Sequence, residues 1–103
     1  MTFETDNDGF LLNLAEWNTD VAQNIAAQEG IDLSQAHWEV LYALREFYTK
    51  YDLSPAMRPL TRHLKKSLGP EKSTSLYLLK LFPGSPAKIA AKIAGLPRPE
   101  NCL

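Results

Sequence analysis

The sequence predicts a mainly α domain: about five helices, a small N-terminal β-hairpin and a flexible C-terminal arm. Three observations predict it. Apolar residues recur at helical spacing over most of positions 19–94. Turn-forming residues divide those stretches at Gly30, Ser54-Pro55, Gly69-Pro70, Pro83-Gly84 and Gly95. The last nine residues, Gly95 to Leu103, contain Pro97 and Pro99. Each proline fixes its own φ, removes a backbone donor and drives the preceding residue toward extended backbone, so no helix passes through them. The chain is thus one domain, with a body over 1–94 and an arm over 95–103.

The first twelve residues read as a hairpin, because Phe3 and Phe10-Leu11-Leu12 flank the turn cluster Asp6-Asn7-Asp8-Gly9. Asn18 is a good N-cap for a helix from Thr19 to about Gln28, with Val21, Ala22, Ile25 and Ala26 on one face and Gly30 as its stop. Ser34 caps a second helix reaching about Tyr51. Trp38, Leu41, Leu44, Phe47, Tyr48 and Tyr51 form its apolar stripe. A third helix runs from Ala56 or Met57 to Leu68, with Pro59 in its first turn, where a missing N–H costs little. Met57, Leu60, Leu64 and Leu68 face inward, and Arg58, Arg62, Lys65 and Lys66 make an outer basic ridge. A fourth helix is expected from about Glu71 to Phe82, presenting Leu76, Tyr77, Leu79 and Leu81-Phe82. Ser85 is the expected cap of a short fifth helix with Pro86 at its first position. Its buried side is Ile89, Ala90, Ile93 and Ala94, and Lys88 and Lys92 occupy the other face.

Composition sets the broad class. A chain of 103 residues with 45% apolar and 22% charged residues is an ordinary globular domain, large enough to bury a core without disulfides. No apolar run approaches the ~20 residues of a membrane span, and no membrane partner is expected. Met-Thr-Phe-Glu-Thr-Asp at the start is acidic and lacks an apolar h-region, so no secretory signal is expected. With a single cysteine, a reducing, cytoplasmic setting is the simplest reading. The net charge of −1 hides an asymmetry: Met1 to Glu39 holds eight acidic residues and no Lys or Arg, whereas Val40 to Leu103 holds eleven basic and four acidic ones. The basic part favours anionic partners, nucleic acid or an acidic protein surface; the same charges also suit plainly solvated helices.

Few residues offer chemistry. Glu4, Asp6, Asp8 and Gly9 are spaced like the start of a calcium loop, but Ala15 stands where the bidentate glutamate is needed. His37 and His63 have no third ligand in any recognisable spacing, so no metal and no cofactor is expected. There is no phosphate loop, nucleophile elbow or dinucleotide fingerprint. Two candidates remain. The basic ridge could face nucleic acid, and the short break between the second and third helices is compatible with a helix-turn-helix. Cys102 is the other candidate, a thiol on a proline-stiffened tether of up to roughly 26 Å. Glu100 and the terminal carboxylate disfavour its thiolate, while Arg98 and the basic body favour it.

The stretch Leu81-Phe82-Pro83-Gly84-Ser85-Pro86-Ala87-Lys88, then Lys92-Ile93-Ala94-Gly95-Leu96-Pro97-Arg98-Pro99 and Cys102, resembles the TusE/DsrC family, which includes the gamma subunit of dissimilatory sulfite reductase. Trp17-Asn18, Glu29-Gly30-Ile31, His37-Trp38-Glu39-Val40, Ser54-Pro55-Ala56 with Arg58, Gly69-Pro70-Glu71-Lys72 and Tyr77-Leu78 extend the match over nearly the whole chain. The resemblance implies a helical body with a mobile arm, and a sulfurtransferase in the carrier sense, with Cys102 holding sulfur as a persulfide. In the TusE branch it implies a TusBCD-like donor complex and, as acceptor, the tRNA 2-thiouridylase acting on the wobble uridine. In the DsrC branch it implies a sulfite-reductase-type complex and a second cysteine, whose place here is taken by Ala91. The single-cysteine branch is therefore favoured. Leu76 stands where the family commonly has arginine, and Glu100-Asn101 makes the tip more acidic than in many relatives. Both departures leave room for a divergent DsrC-like paralogue in sulfur oxidation, sulfite reduction or their regulation. Arg58, Arg62, Lys88, Lys92 and Arg98 are the candidate docking cations. A nucleic-acid-binding helical module with an incidental arm is the reading from another class.

Overall fold

A computed structural model of the chain describes residues 3–100. The helices start where polar side chains can take the free N–H groups of a first turn. Asn18 Oδ1 accepts from the Val21 N–H at 2.9 Å, and α1 spans Thr19–Gln28. Ser34 caps α2, Gln35–Tyr51, in a reciprocal arrangement: its hydroxyl accepts from the His37 N–H, and His37 Nδ1 accepts the Ser34 N–H at 3.0 Å. The other ring nitrogen, Nε2, donates to the Leu81 carbonyl at 2.8 Å. A carbonyl only accepts, so the proton sits on Nε2. His37 is thus a structural residue that joins the start of α2 to the backbone at Leu81. The third helix, α3, spans Met57–Leu68 with Pro59 in its first turn, as expected.

Three expectations are corrected. The fourth helix does not start near Glu71. Pro70–Lys72 forms a 3-10 turn, closed by the Ser73 hydroxyl donating to the Pro70 carbonyl at 3.1 Å. Thr74 then caps a new helix by accepting from the Tyr77 N–H, and α4 spans only Ser75–Leu81. Leu78 and Phe82 enter the core, while Leu76 and Leu79 face solvent. The fifth helix, α5, spans Pro86–Ile93 as expected, but Ser85 makes no side-chain cap. Finally, the N-terminal hairpin is not formed as a sheet. The described residues contain no strand, only one isolated antiparallel bridge between Thr5 and Leu11. The chain does reverse there, through Asp6 N–H to Phe10 O at 2.8 Å and Leu12 N–H to Glu4 O at 2.9 Å. Asp6 Oδ1, however, takes the N–H groups of Asp8 and Phe10. That side chain satisfies donors locally, so the segment closes as a tight loop.

The core lies around α5, which packs against α1, α2, α3 and α4. Alanine makes this packing close: Ala87, Ala90, Ala91 and Ala94 are all buried and let neighbouring backbones approach. The larger helices contribute Val21 and Ile25, Leu41 and Leu44, Leu60 and Leu64. Phe10 and Leu11 of the N-terminal loop close one side of this cluster. Leu96, two residues past α5, belongs to the same core at 3% exposure. The chain beyond α5 is therefore held to the body at its root.

Candidate functional site: the root of the C-terminal arm

Gly95 ends α5 in a left-handed conformation, φ 76°. Its N–H donates to the Lys92 carbonyl and the Leu96 N–H reaches back to the Ala91 carbonyl at 2.9 Å. The reach-back from Leu96 is the long bond of a Schellman-type stop, and it turns Leu96 into the core. Two side chains take carbonyls left open at the helix end. Trp17 Nε1 donates to Ile93 O at 2.9 Å, and Arg45 Nη1 donates to Ala94 O at 2.7 Å. The Arg45 guanidinium lies 3.9 Å from the Trp17 ring centroid, a cation–π contact. Burial lowers the Arg45 pKa from its ordinary value, opposed by Tyr42. A cation at a helix C-terminus also suits the negative end of the macrodipole.

Beyond Leu96 the backbone stays attached. The Ser54 hydroxyl, itself buried, donates to the Pro97 carbonyl at 2.6 Å. Arg98 forms an ion pair with Asp8 and lies 5.0 Å over the Phe10 ring. The hydrogen bond from Arg98, and then its charge, hold the Asp8 carboxyl below the usual range. Pro99 is buried. Beside this root is a cleft of about 350 Å³ lined by Tyr48, Asp52, Ser54, Pro97, Arg98 and Glu100. Cys102 lies outside the described residues. Covalent geometry places it three residue steps, at most about 10 Å, beyond Pro99. The tether is thus measured from Pro99 and not from Gly95.

The expected docking cations do not form one site: Lys88, Lys92 and Arg98 converge around Asp8 and Phe10, whereas Arg58 and Arg62 lie on α3. Arg98 is at the arm root. Lys92 does not lie on the solvent face of α5; its side chain is 9% exposed and pairs with Glu29 at 3.0 Å. Its ammonium is also 5.4 Å from the Phe10 ring, and its stem packs on Gly9. The i, i+4 spacing from Lys88 did not reveal this, because the wall that covers Lys92 comes from α1 and the N-terminal loop. Lys88 is half-buried, and Arg58 and Arg62 are exposed on α3. Trp17, Arg45, Ser54 and Asp8 are the residues that sequence reasoning did not assign to the root. Trp17 and Ser54 stood inside the motif segments, without a role attached. Among the described residues no group of three or more His, Cys, Asp or Glu could hold a metal ion. No helix among them is long and apolar enough to cross a membrane.

A family model described as "DsrC like protein" matches residues 1–103. The chain belongs to the DsrC-like family. It is 52% identical over 100 residues to a Haemophilus influenzae protein named "Sulfurtransferase TusE homolog", covering 97% of this chain and 92% of that one. It is 50% identical over 99 residues to "Sulfurtransferase TusE" of Sodalis glossinidius, covering 96% and 92%. Among solved structures it resembles Allochromatium vinosum DsrC, with TM-score 0.89 and 44% identity over 98% of this chain and 90% of that one. It also resembles the oxidised gamma subunit of the dissimilatory sulfite reductase of Archaeoglobus fulgidus, with TM-score 0.83 and 39% identity over 98% and 92%.

Proposed function

We propose that this member of the DsrC-like family is a sulfur-relay carrier that holds sulfur on Cys102, most directly for 2-thiolation of the tRNA wobble uridine. The observation that carries the reading is near-full-length identity of about 50% to proteins named sulfurtransferase TusE, in a chain with one cysteine. The chemistry is thiol exchange. The Cys102 thiolate attacks the outer sulfur of a donor persulfide. One S–S bond breaks as another forms, the donor leaves as a thiolate, and no external oxidant is needed. The reverse logic delivers the sulfur to an acceptor. A TusBCD-like complex is the proposed donor, and a tRNA 2-thiouridylase with its tRNA the proposed acceptor. Residues 95–103 act as the arm, and the anchored root at Leu96–Pro99 gives the tip a fixed point of departure. This activity requires no resident cofactor and belongs in the cytoplasm.

Incubation with a persulfide donor followed by intact-mass spectrometry tests the reading. The expected result is a gain of one sulfur atom, lost after reduction and absent from Cys102→Ser. A chain that gains no sulfur, or gains it equally without Cys102, overturns the proposal. The similarity to DsrC structures supports a second reading, a paralogue serving a sulfite-reductase-type complex. Ala91, in the position of that branch's second cysteine, is fully buried, and its carbonyl holds the Leu96 N–H. A disulfide from Cys102 to position 91 is chemically excluded, so any sulfur on the tip passes to another molecule. Reconstitution with each partner set separates the readings: transfer to tRNA supports the first, and transfer dependent on a sulfite-reductase-type complex supports the second.

A further inference from the structure

Some cations of the chain are paired with carboxylates and others are not. Lys72, Lys92 and Arg98 are each engaged by a carboxylate, from Glu39, Glu29 and Asp8 respectively. Lys50, Arg62 and Lys66 have no hydrogen-bonding or ionic side-chain partner among the described residues. These three unpaired cations line one cleft between the end of α2 and the outer face of α3, with a volume of about 430 Å³. That is within the range of sites that hold small ligands. The floor of the cleft is aromatic. Phe47 is nearly buried, and its ring centroid is 4.6 Å from that of Tyr51, which is 54% exposed. His63 meets the Phe47 ring edge-on at 5.3 Å. Its Nε2–H faces the Ala43 carbonyl at 3.1 Å and Glu46 Oε1 at 3.2 Å, so the ring is fixed in place.

We propose that this α2–α3 cleft binds a single-stranded segment of RNA, with Lys50, Arg62 and Lys66 on phosphates and Tyr51 stacked on a base. Cations that have no internal partner and surround an exposed ring are the two components of single-strand recognition: charge tracks the backbone and the ring takes the base. An acidic protein would use the cations but has no use for the exposed Tyr51 ring. One feature points to ribose rather than deoxyribose. Glu46 and Ser67 also line the cleft. The Glu46 carboxylate, 67% exposed, accepts hydrogen bonds only. It repels phosphate, but it suits the 2′-hydroxyl donor that distinguishes RNA. The site is independent of Cys102 and goes beyond the sulfur-carrier reading, which can fail without affecting it.

Fluorescence anisotropy of a short fluorescein-labelled single-stranded RNA, titrated with the full chain at several salt concentrations, tests the proposal. Arg62→Ala with Lys66→Ala is expected to reduce the log–log salt slope by about 1.4, at roughly 0.7 per phosphate contact for single strands. Tyr51→Ala is expected to weaken binding about fivefold or more at fixed salt. Single-stranded DNA of the same sequence is expected to bind more weakly, and Glu46→Gln to narrow that difference. All the substituted side chains are on the surface, and circular dichroism of each variant verifies the helices. An unchanged salt slope in the double variant, or unchanged affinity in Tyr51→Ala, overturns the cleft as the site. Equal binding of the DNA strand overturns the assignment to RNA. Equal or tighter binding of polyglutamate overturns a nucleic acid in favour of an acidic protein.

Discussion

Replacing Gly95 by alanine tests whether the arm is launched from a fixed point. Gly95 has φ +76°, and a Cβ built on it would lie 2.3 Å from Trp17 Cδ1 and 2.7 Å from Cγ. Those atoms belong to a ring that bonds the Ile93 carbonyl and carries the Arg45 guanidinium, so the neighbour cannot yield without loss. Left-handed backbone alone costs about 1–2 kcal/mol for an L side chain. Displacing the indole forfeits a hydrogen bond of about 1 kcal/mol. It also disturbs a cation–π contact of about 0.5–1 kcal/mol at a partly exposed site. Gly95→Ala is therefore expected to destabilise the chain by about 2.5–4 kcal/mol, a large share of the roughly 5–15 kcal/mol typical of a domain. Gly30 supplies the control. Its φ is +73°, but a Cβ there meets nothing within 4 Å, so Gly30→Ala should cost only the backbone term of about 1–2 kcal/mol. Urea unfolding followed by circular dichroism measures both, with equal m-values as the check that the denatured state is unchanged. If the two variants fall within about 0.5 kcal/mol of each other, Trp17 does not lock the end of α5 and the fixed-departure reasoning fails.

Two further outcomes follow from the charges around the root. Lys92→Ala leaves Glu29 unpaired in a setting between surface and core, so a loss of about 2 kcal/mol is expected, between the values for exposed and buried pairs; a change below about 0.5 kcal/mol in the same unfolding assay would contradict the burial of that pair. Asp8 has a folded-state pKa lowered chiefly by its hydrogen bond from Arg98. The stabilisation it brings is present above the unfolded carboxyl pKa and is lost as pH falls through the lower folded value. An NMR titration should therefore show the Asp8 carboxyl titrating at higher pH in Arg98→Ala than in the parent chain, and coincident curves would refute the pairing.

Much of this protein was legible in its sequence because short-range physics wrote it there. Asn18, Ser34, Pro59, Pro86 and Gly95 act through the few residues next to them, and the limits of α1, α2, α3 and α5 lie where those residues place them. The family signature was equally readable, since it is a string of local motifs ending at Cys102. Ser73 and Thr74 were harder. Their side chains divide one apolar stretch into a 3-10 turn and α4, a competition between local bonds that periodicity does not register. The hairpin failed for a similar reason, with Asp6 taking donors that a ladder would have used.

Which groups meet across distance was settled by the packing. Trp17 and Ile93 are 76 positions apart, Arg98 and Asp8 are 90 apart, and Ser54 and Pro97 are 43 apart. No periodicity or spacing encodes those contacts, because each depends on how α5 is seated among the other helices. Local signals were enough for α1, α2, α3 and α5, for the family and for the one thiol. The packing determined that Lys92 is an internal ion, that three unpaired cations of α2 and α3 line one cleft, and that the arm is held to the body as far as Pro99.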